Sequence, residues 1–281
     1  GKIITTRSMV YKFYLLILIY SGLLLPDCIM AQKVQLSEVI LINGSSFKKQ
    51  ADSEVLRSFY AKEVAPIWSA RVKGSHLYLL KADRGVEKDQ FLLACTFDDV
   101  KARNKNLAQG SPFNDKTFSR LGSLPSTPSR FLTDPDKYTD YSLIGRSELG
   151  SLPEVEILGI HYIQVSPDMA EIFEKFVREQ LHPKVAGLLP DMGLYYYKGV
   201  SGENSGSYIT IFAISTIEAR EKFWPTGGAE TAEVKKAFEP LGDLAEKLET
   251  YLVKGSFLLP ESGGAAAYFE SLRWTDFVLV E

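Results

Sequence analysis

Apolar and polar positions alternate along Val155–Val165 (VEILGIHYIQV), a run rich in β-branched and aromatic residues that stops at Ser166-Pro167 and so predicts a strand. There the period changes. Ile172, Phe173, Phe176, Val177 and Leu181 recur at helical spacing, with Glu171, Glu174, Lys175, Arg178 and Glu179 on the other faces. Ser166 is placed to cap that helix, with Pro167 at its first position, where a missing N–H costs nothing; His182-Pro183 is expected to end it. Leu194–Lys198 and Tyr208–Ile214 read as two further strands, linked by Gly199–Ser207 as a hairpin loop. A short helix over Thr216–Trp224 follows, then helical stretches at Glu233–Ala237 and Leu241–Leu252 on either side of Pro240. A closing strand within Tyr268–Val280 completes the order β-α-β-β-α-β.

The first half repeats this order. Its strands are Val39–Ile42, His76–Lys81 and Phe91–Phe97, with a closing strand expected within Tyr141–Leu149. Its helices are Asp52–Val64 and Asp98–Asn106, and Phe113–Tyr141, which contains Pro125, Pro128 and Pro135, reads as a long irregular insertion. Residues 52–103 and 169–220 align without a gap at a constant offset of 117. Glu54/Glu171, Leu77/Leu194, Tyr78/Tyr195, Lys81/Lys198, Ala102/Ala219 and Arg103/Arg220 are identical pairs. Such a period predicts a duplicated unit, and the chain divides into residues 32–150 and 151–281. Ile160 and Tyr162 alternate with His161, Ile163 and Val165, so apolar groups lie on both faces of that strand. Helices cover one face; packing one unit's sheet against the other's would cover the second.

With the Ser166-Pro167 turn, Phe176, His182-Pro183 and the run IFAISTIEAREKFW ending at Trp224, residues Val34–Glu281 resemble a tandem member of the dimeric α+β barrel superfamily. That superfamily includes the antibiotic-biosynthesis monooxygenases and the NIPSNAP-like proteins. Many of its members are homodimers of one unit, so the resemblance implies an α+β fold of two ferredoxin-like units packed as an intrachain pseudo-dimer, and a monomeric protein. It also implies a pocket between sheet and helices, toward which His161 would point, where haem-degrading relatives carry an asparagine. Those relatives place a tryptophan at the end of the third strand and a haem-ligating histidine on the second helix. Here Ile214 and, approximately, Phe238 stand in those places, so haem breakdown is not implied and no cofactor is expected.

The N-terminal region changes the picture of where the protein works. Met9 is followed by Lys12, the apolar run Phe13–Leu25 and a small residue at Ala31, the layout of a secretory signal peptide. The run is interrupted by Pro26-Asp27, short of the roughly 20 residues a bilayer span needs. Residues 1–31 are therefore expected to be upstream residues plus signal peptide, and the protein to be exported, periplasmic or extracellular. The alternative is a buried element of the domain. A lipoprotein would need a small residue before Cys28, where Asp27 stands. Cleavage leaves Cys95 alone, so no intrachain disulfide is expected and the core must hold the fold. It also leaves 29 basic against 34 acidic residues, with no basic stripe interleaved with aromatics, which argues against a nucleic-acid partner. No later apolar segment is long enough to span a membrane.

Candidate chemistry is sparse. Only His76, His161 and His182 exist, without metal-ligand spacing, so no metal is expected. Neither a P-loop nor a G-x-G-x-x-G fingerprint occurs, and there is no G-x-S-x-G elbow. His161 corresponds to Ile40 and His182 to Ala65, which confines any polar pocket to the second half. Strand alternation puts Tyr195 and Tyr197 on one face and Tyr196 on the other. His161, Tyr195, Tyr197, Trp224 and Trp274 are the ligand-binding candidates, suited to a flat apolar molecule; the aromatics equally suit the interface between the sheets. Arg103 and Arg220 recur on both short second helices and read as ion-pair or capping groups. Two functions remain open. One is an exported binder of a small apolar or aromatic molecule or of a protein partner. The other is a cofactor-independent monooxygenase in which His161 and tyrosines position an electron-rich aromatic substrate for oxygen.

Overall fold

The computed structural model describes residues 33–43, 53–66, 68, 74–85, 87–106, 138–144, 152–253 and 275–280. The expected signal peptide, most of the insertion Phe113–Tyr141, and Trp274 lie outside the described residues.

A strand such as β4 (Phe91–Phe97), buried at every position, needs partners on both faces. Closure of the sheet supplies them. β4 joins β2 (Val39–Asn43), β3 (Ser75–Arg84), β5 (Tyr138–Leu143), β7 (Ile157–Ile163), β8 (Met192–Gly202), β9 (Tyr208–Ile214) and β10 (Thr275–Leu279) in one antiparallel barrel. Around the barrel the order is β10-β3-β4-β2-β5-β8-β9-β7, with β7 paired back to β10. Each half therefore contributes its strands in the order second, third, first, fourth. The halves meet edge to edge at two seams, β5 on β8 and β10 on β3. A separate ribbon pairs β1 (Val34–Gln35) with β6 (Glu154–Val155).

Alternation along the strands sorts the apolar residues into layers. Ile40, Tyr78, Leu80, Ile160, Tyr197 and Ile211 are among those that fill the barrel interior. The other parity packs outward. Leu41, Leu79, Leu93 and Phe97 meet Phe59, Val64 and Trp68, while Ile163, Leu194 and Tyr196 meet Phe173, Phe176 and Leu248. Burying one such side chain is worth about 1.5–3 kcal/mol, against about 1 kcal/mol for a net hydrogen bond. Packing therefore dominates the choice of register, since a one-residue slip would turn every one of these groups to the wrong face.

The helices lie outside. They are α1 (Ser53–Phe59), α2 (Val100–Asn106), α3 (Ala170–Phe176), α4 (His182–Val185), α5 (Ile217–Phe223), α6 (Ala232–Phe238) and α7 (Gly242–Glu249). A π-helical turn follows α1 at Tyr60–Val64 and α3 at Val177–Leu181, at positions exactly 117 apart. His182-Pro183 does not end the second-half helix as expected, because α4 continues it through Val185. The widened π turn redirects the backbone donors, so Pro183 sits at the start of a new turn, where its missing N–H is not needed. Ser166 does not cap by its side chain either; its carbonyl accepts the Met169 N–H (2.8 Å) in a 3₁₀ turn over Pro167–Met169. The expected strand Val155–Val165 is interrupted at Glu156, whose N–H turns to the carbonyls of Ile214 and Ser215. β3 and β8 run longer than the alternation suggested, to Arg84 and Gly202, and β5 starts earlier, at Tyr138. Each extension is held by pairing across a seam.

Candidate ligand cavity at the β10–β3 seam

Thr216 opens α5 by accepting the Ala219 N–H on its hydroxyl (3.0 Å), and the Glu156 carboxylate accepts the Ile217 N–H (2.9 Å). Arg220 and Trp224, four residues apart, project on the same side. The helix stops at Trp224, where Pro225 follows and Gly227 takes φ +72°. This turn hangs the Trp224 side chain beside the barrel wall, edge-on to Phe212 with ring centroids 5.2 Å apart.

Arg220 reaches across the seam. Its two terminal nitrogens donate to Asp83 of β3 in a bidentate pair (2.8 and 2.6 Å), and Nη1 also donates to Asp276 of β10 (3.1 Å). The Arg220 side chain is 4% exposed. Burying a guanidinium costs several kcal/mol, which only close and well-aligned carboxylates offset. Burial also pushes the Asp276 carboxyl up from its ordinary value, and Arg220 pulls it back only in part. Beside this cluster, Arg84 donates to the Glu221 carboxylate, to the Trp224 carbonyl (2.7 Å) and to the Thr226 hydroxyl (2.5 Å).

These groups border a cavity of about 420 Å³. Leu194 of β8, Phe212 and Ile214 of β9, Trp224, and Phe238 of α6 form its apolar wall. Asp83, Arg84, Lys88, Arg220 and Asp276 form the polar one. Gly159 of β7 lies in register between Asp276 and Phe212. A Cβ there would come within 3.2 Å of both the Asp276 carboxylate and Phe212 Cβ, so the bare glycine lets the two walls approach.

Among the five sequence candidates, Trp224 is the one found at this cavity, and Trp274 lies outside the described residues. His161 is fully buried on the outer face of β7, two residues from Gly159 and in register with Thr210, and it does not line the cavity. Tyr195 and Tyr197 face the opposite way, into the barrel. The Tyr197 hydroxyl donates to the Ser37 carbonyl (2.8 Å), and the Tyr195 ring stands 5.8 Å from that of His182. His182 is buried, and burial pushes its pKa down. The expectation that a polar pocket would belong to the second half alone is corrected, because Asp83, Arg84 and Lys88 come from the first. Those residues lie at and beyond a strand end that only pairing with β10 reveals. Ile214 and Phe238 belong to the apolar wall.

Among the described residues no three His, Cys, Asp or Glu side chains cluster as a metal site, and no helix is long and apolar enough to cross a membrane. No family model matches the sequence, and no curated protein does. Among solved structures, the chain is similar to a proposed monooxygenase from Lactobacillus acidophilus NCFM, with 13% identity and a TM-score of 0.44 over 86% of this chain and 94% of that one. It is also similar to an anthrone oxidase-like protein, with 12% identity and a TM-score of 0.40 over 86% of this chain and 90% of that one.

Proposed function

We propose that the protein binds a small flat molecule, largely apolar and carrying a carbonyl or phenolic oxygen, in the cavity at the β10–β3 seam. The observation that carries this is an aromatic wall in the same cavity as Arg220, whose guanidinium has one buried donor left over. Arg220 Nε–H has no acceptor among the described residues, although both terminal nitrogens of the same guanidinium are held. An unsatisfied buried donor costs about 1–3 kcal/mol, which a ligand oxygen would relieve. A cavity of about 420 Å³ is in the size range of small-molecule sites. Isothermal titration with 1-naphthol and with naphthalene isolates the oxygen: 1-naphthol is expected to bind more tightly, and Trp224→Ala to weaken it about tenfold. Equal binding by parent and Trp224→Ala would place the ligand elsewhere.

Asp276 favours a second reading, a cofactor-independent monooxygenase acting on an aromatic substrate. Its carboxyl borders the cavity with a raised pKa, which makes it a better base than an ordinary aspartate for the proton of a bound phenol. The electron-rich phenolate would then react with O₂; one oxygen atom enters the ring as the new carbonyl of a quinone and the other leaves as water. Oxygen uptake with 1-naphthol, abolished in Asp276→Asn, is the expected result. Uptake that is absent from the parent leaves binding as the function.

The same proposal takes the chain as a tandem duplication, with residues 32–150 and 151–281 as two ferredoxin-like repeats joined in an intrachain pseudo-dimer that works as a monomer. The constant offset of 117, the matched strand order and the matched π turns support it. Export is supported by the basic, apolar and small-residue layout of Met9–Ala31. N-terminal sequencing of the mature protein should read from Gln32, and sedimentation should give one chain.

A further inference from the structure

We propose that one end of the barrel interior is a second binding site, for a small organic cation bearing an ammonium group. The hairpin between β3 and β4 brings Glu87 and Gln90 there, and the hairpin between β8 and β9 brings Glu203 and Asn204. Between them lies a cavity of about 260 Å³ that continues down to the rings of Tyr141, Tyr162 and Phe277.

Charge decides the kind of ligand. Two carboxylates border this space and no basic side chain does, among the described residues. Among the described residues neither Glu87 nor Glu203 has an ion-pair partner there. Glu87 is half-buried, and burial pushes its carboxyl up, as expected for an acid without a counter-cation. The rings add a second attraction, because aromatic walls stabilise a cation where water is excluded. Burial first, and then Glu87, Tyr141 and Glu203, hold the Tyr162 hydroxyl protonated, and all four groups border the same cavity.

A second, independent feature points to an occupant. Tyr141 is 1% exposed and borders the cavity, yet its hydroxyl has no hydrogen-bond partner among the described residues. It lies near Thr139, Ser207 and Asn204 but meets hydrogen-bond geometry with none of them. Burial pushes its pKa up to about 12, so it stays neutral and offers an oxygen lone pair to an N–H donor. An ammonium group supplies that donor and the missing positive charge together. The volume is far larger than a bare metal ion needs, and the aromatic floor suits an organic body behind the charged head.

The hairpin between β3 and β4 faces both cavities: Arg84 and Lys88 border the first, Glu87 and Gln90 the second. Calorimetric titration of the full chain with phenethylammonium chloride tests the proposal, with phenylacetate as a similar ring bearing the opposite charge. Phenethylammonium should bind at a site that needs Glu87 and Glu203, whereas any phenylacetate taken up by the basic wall of the first cavity should be indifferent to both residues. Glu87→Gln and Glu203→Gln, which keep side-chain size, should each weaken binding about tenfold. Unchanged far-ultraviolet circular dichroism and urea midpoints should show that both variants fold. Tyr141→Phe should weaken it less. No binding of the cation, phenylacetate binding that responds to the same Gln variants, or full cation affinity in both Gln variants would overturn the proposal.

Discussion

At the β5–β8 seam, Arg103 of α2 reaches Asp140 of β5, and Ser201 of β8 donates to the same carboxylate (2.5 Å). At the β10–β3 seam, Arg220 of α5 reaches Asp276 of β10, but the strand across the seam supplies Asp83, a second acid, instead of a hydroxyl. The arginines stand 117 residues apart; Arg220 bonds directly to the other half at Asp83, whereas Arg103 reaches it only through Asp140, which accepts from Ser201. What differs is charge. The first cluster holds one cation and one anion, with the Asp140 side chain only 2% exposed. The second joins two cations, Arg220 and Arg84, to three anions, Asp83, Asp276 and Glu221, and Asp83 is 42% exposed beside an open cavity. A neutral third partner closes a seam; a charged one keeps part of the cluster at the solvent and leaves room next to it.

The largest expected effect separates the seams directly. Asp140→Ala removes a buried carboxylate from the partly buried Arg103 and from Ser201 and should cost about 3 kcal/mol in urea unfolding. Asp83→Ala leaves Arg220 with Asp276 and should cost about 1 kcal/mol. Equal losses would mean that exposure does not distinguish the two clusters. Ser201→Asp imposes the second pattern on the first seam, and crowding two carboxylates around Arg103 should cost about 2 kcal/mol, less at acid pH than at neutral pH. An unchanged midpoint at neutral pH would count against the charge explanation.

Two smaller effects have opposite signs in pH. The folded pKa of Asp276 lies above its ordinary 3.8, so its contribution is fully present below that value and is lost as pH rises through the folded pKa. Asp276→Asn should remove this slope from a plot of urea midpoint against pH. Glu174 behaves in reverse. Burial raises its pKa, but Lys198 (2.6 Å) and the Tyr208 hydroxyl (2.8 Å) outweigh that and hold it below 4.5. Its contribution is present above pH 4.5 and is lost as pH falls through the folded value, so Glu174→Gln should cost about 0.5–1 kcal/mol at neutral pH and little in acid. The first half has Arg57 in the corresponding position, and it pairs within its own helix with Glu54. A matching acid-side slope in an Arg57 variant would erase this contrast between the halves.

Much of the fold was legible in alternation. Tyr196 lies on the opposite face from Tyr195 and Tyr197, and Ile163 and Val165 share one face, as alternation implied; Arg103 and Arg220 form the ion pairs that their recurrence suggested. Strand lengths were less legible. Ala82–Arg84 are held by β10, and no local pattern announces a partner from the far end of the chain. The cavity was hidden for the same reason: its polar wall is assembled from Asp83, Arg220 and Asp276, which only closure brings together. His161 drew notice as a polar residue on an apolar strand, yet it lies outside the cavity, and Gly159, where Asp276 and Phe212 close in on a missing side chain, leaves no mark in a hydrophobicity pattern.

Closure has one more consequence. A sheet that ends must guard its last strand, because unpaired backbone N–H and C=O groups recruit any extended chain that passes. In the barrel each strand has two partners, so the ring presents no such template. Separating the halves would bare β3 and β5 on one fragment and β8 and β10 on the other. The linker between them therefore keeps in one polypeptide two pieces that would each be open to aggregation alone.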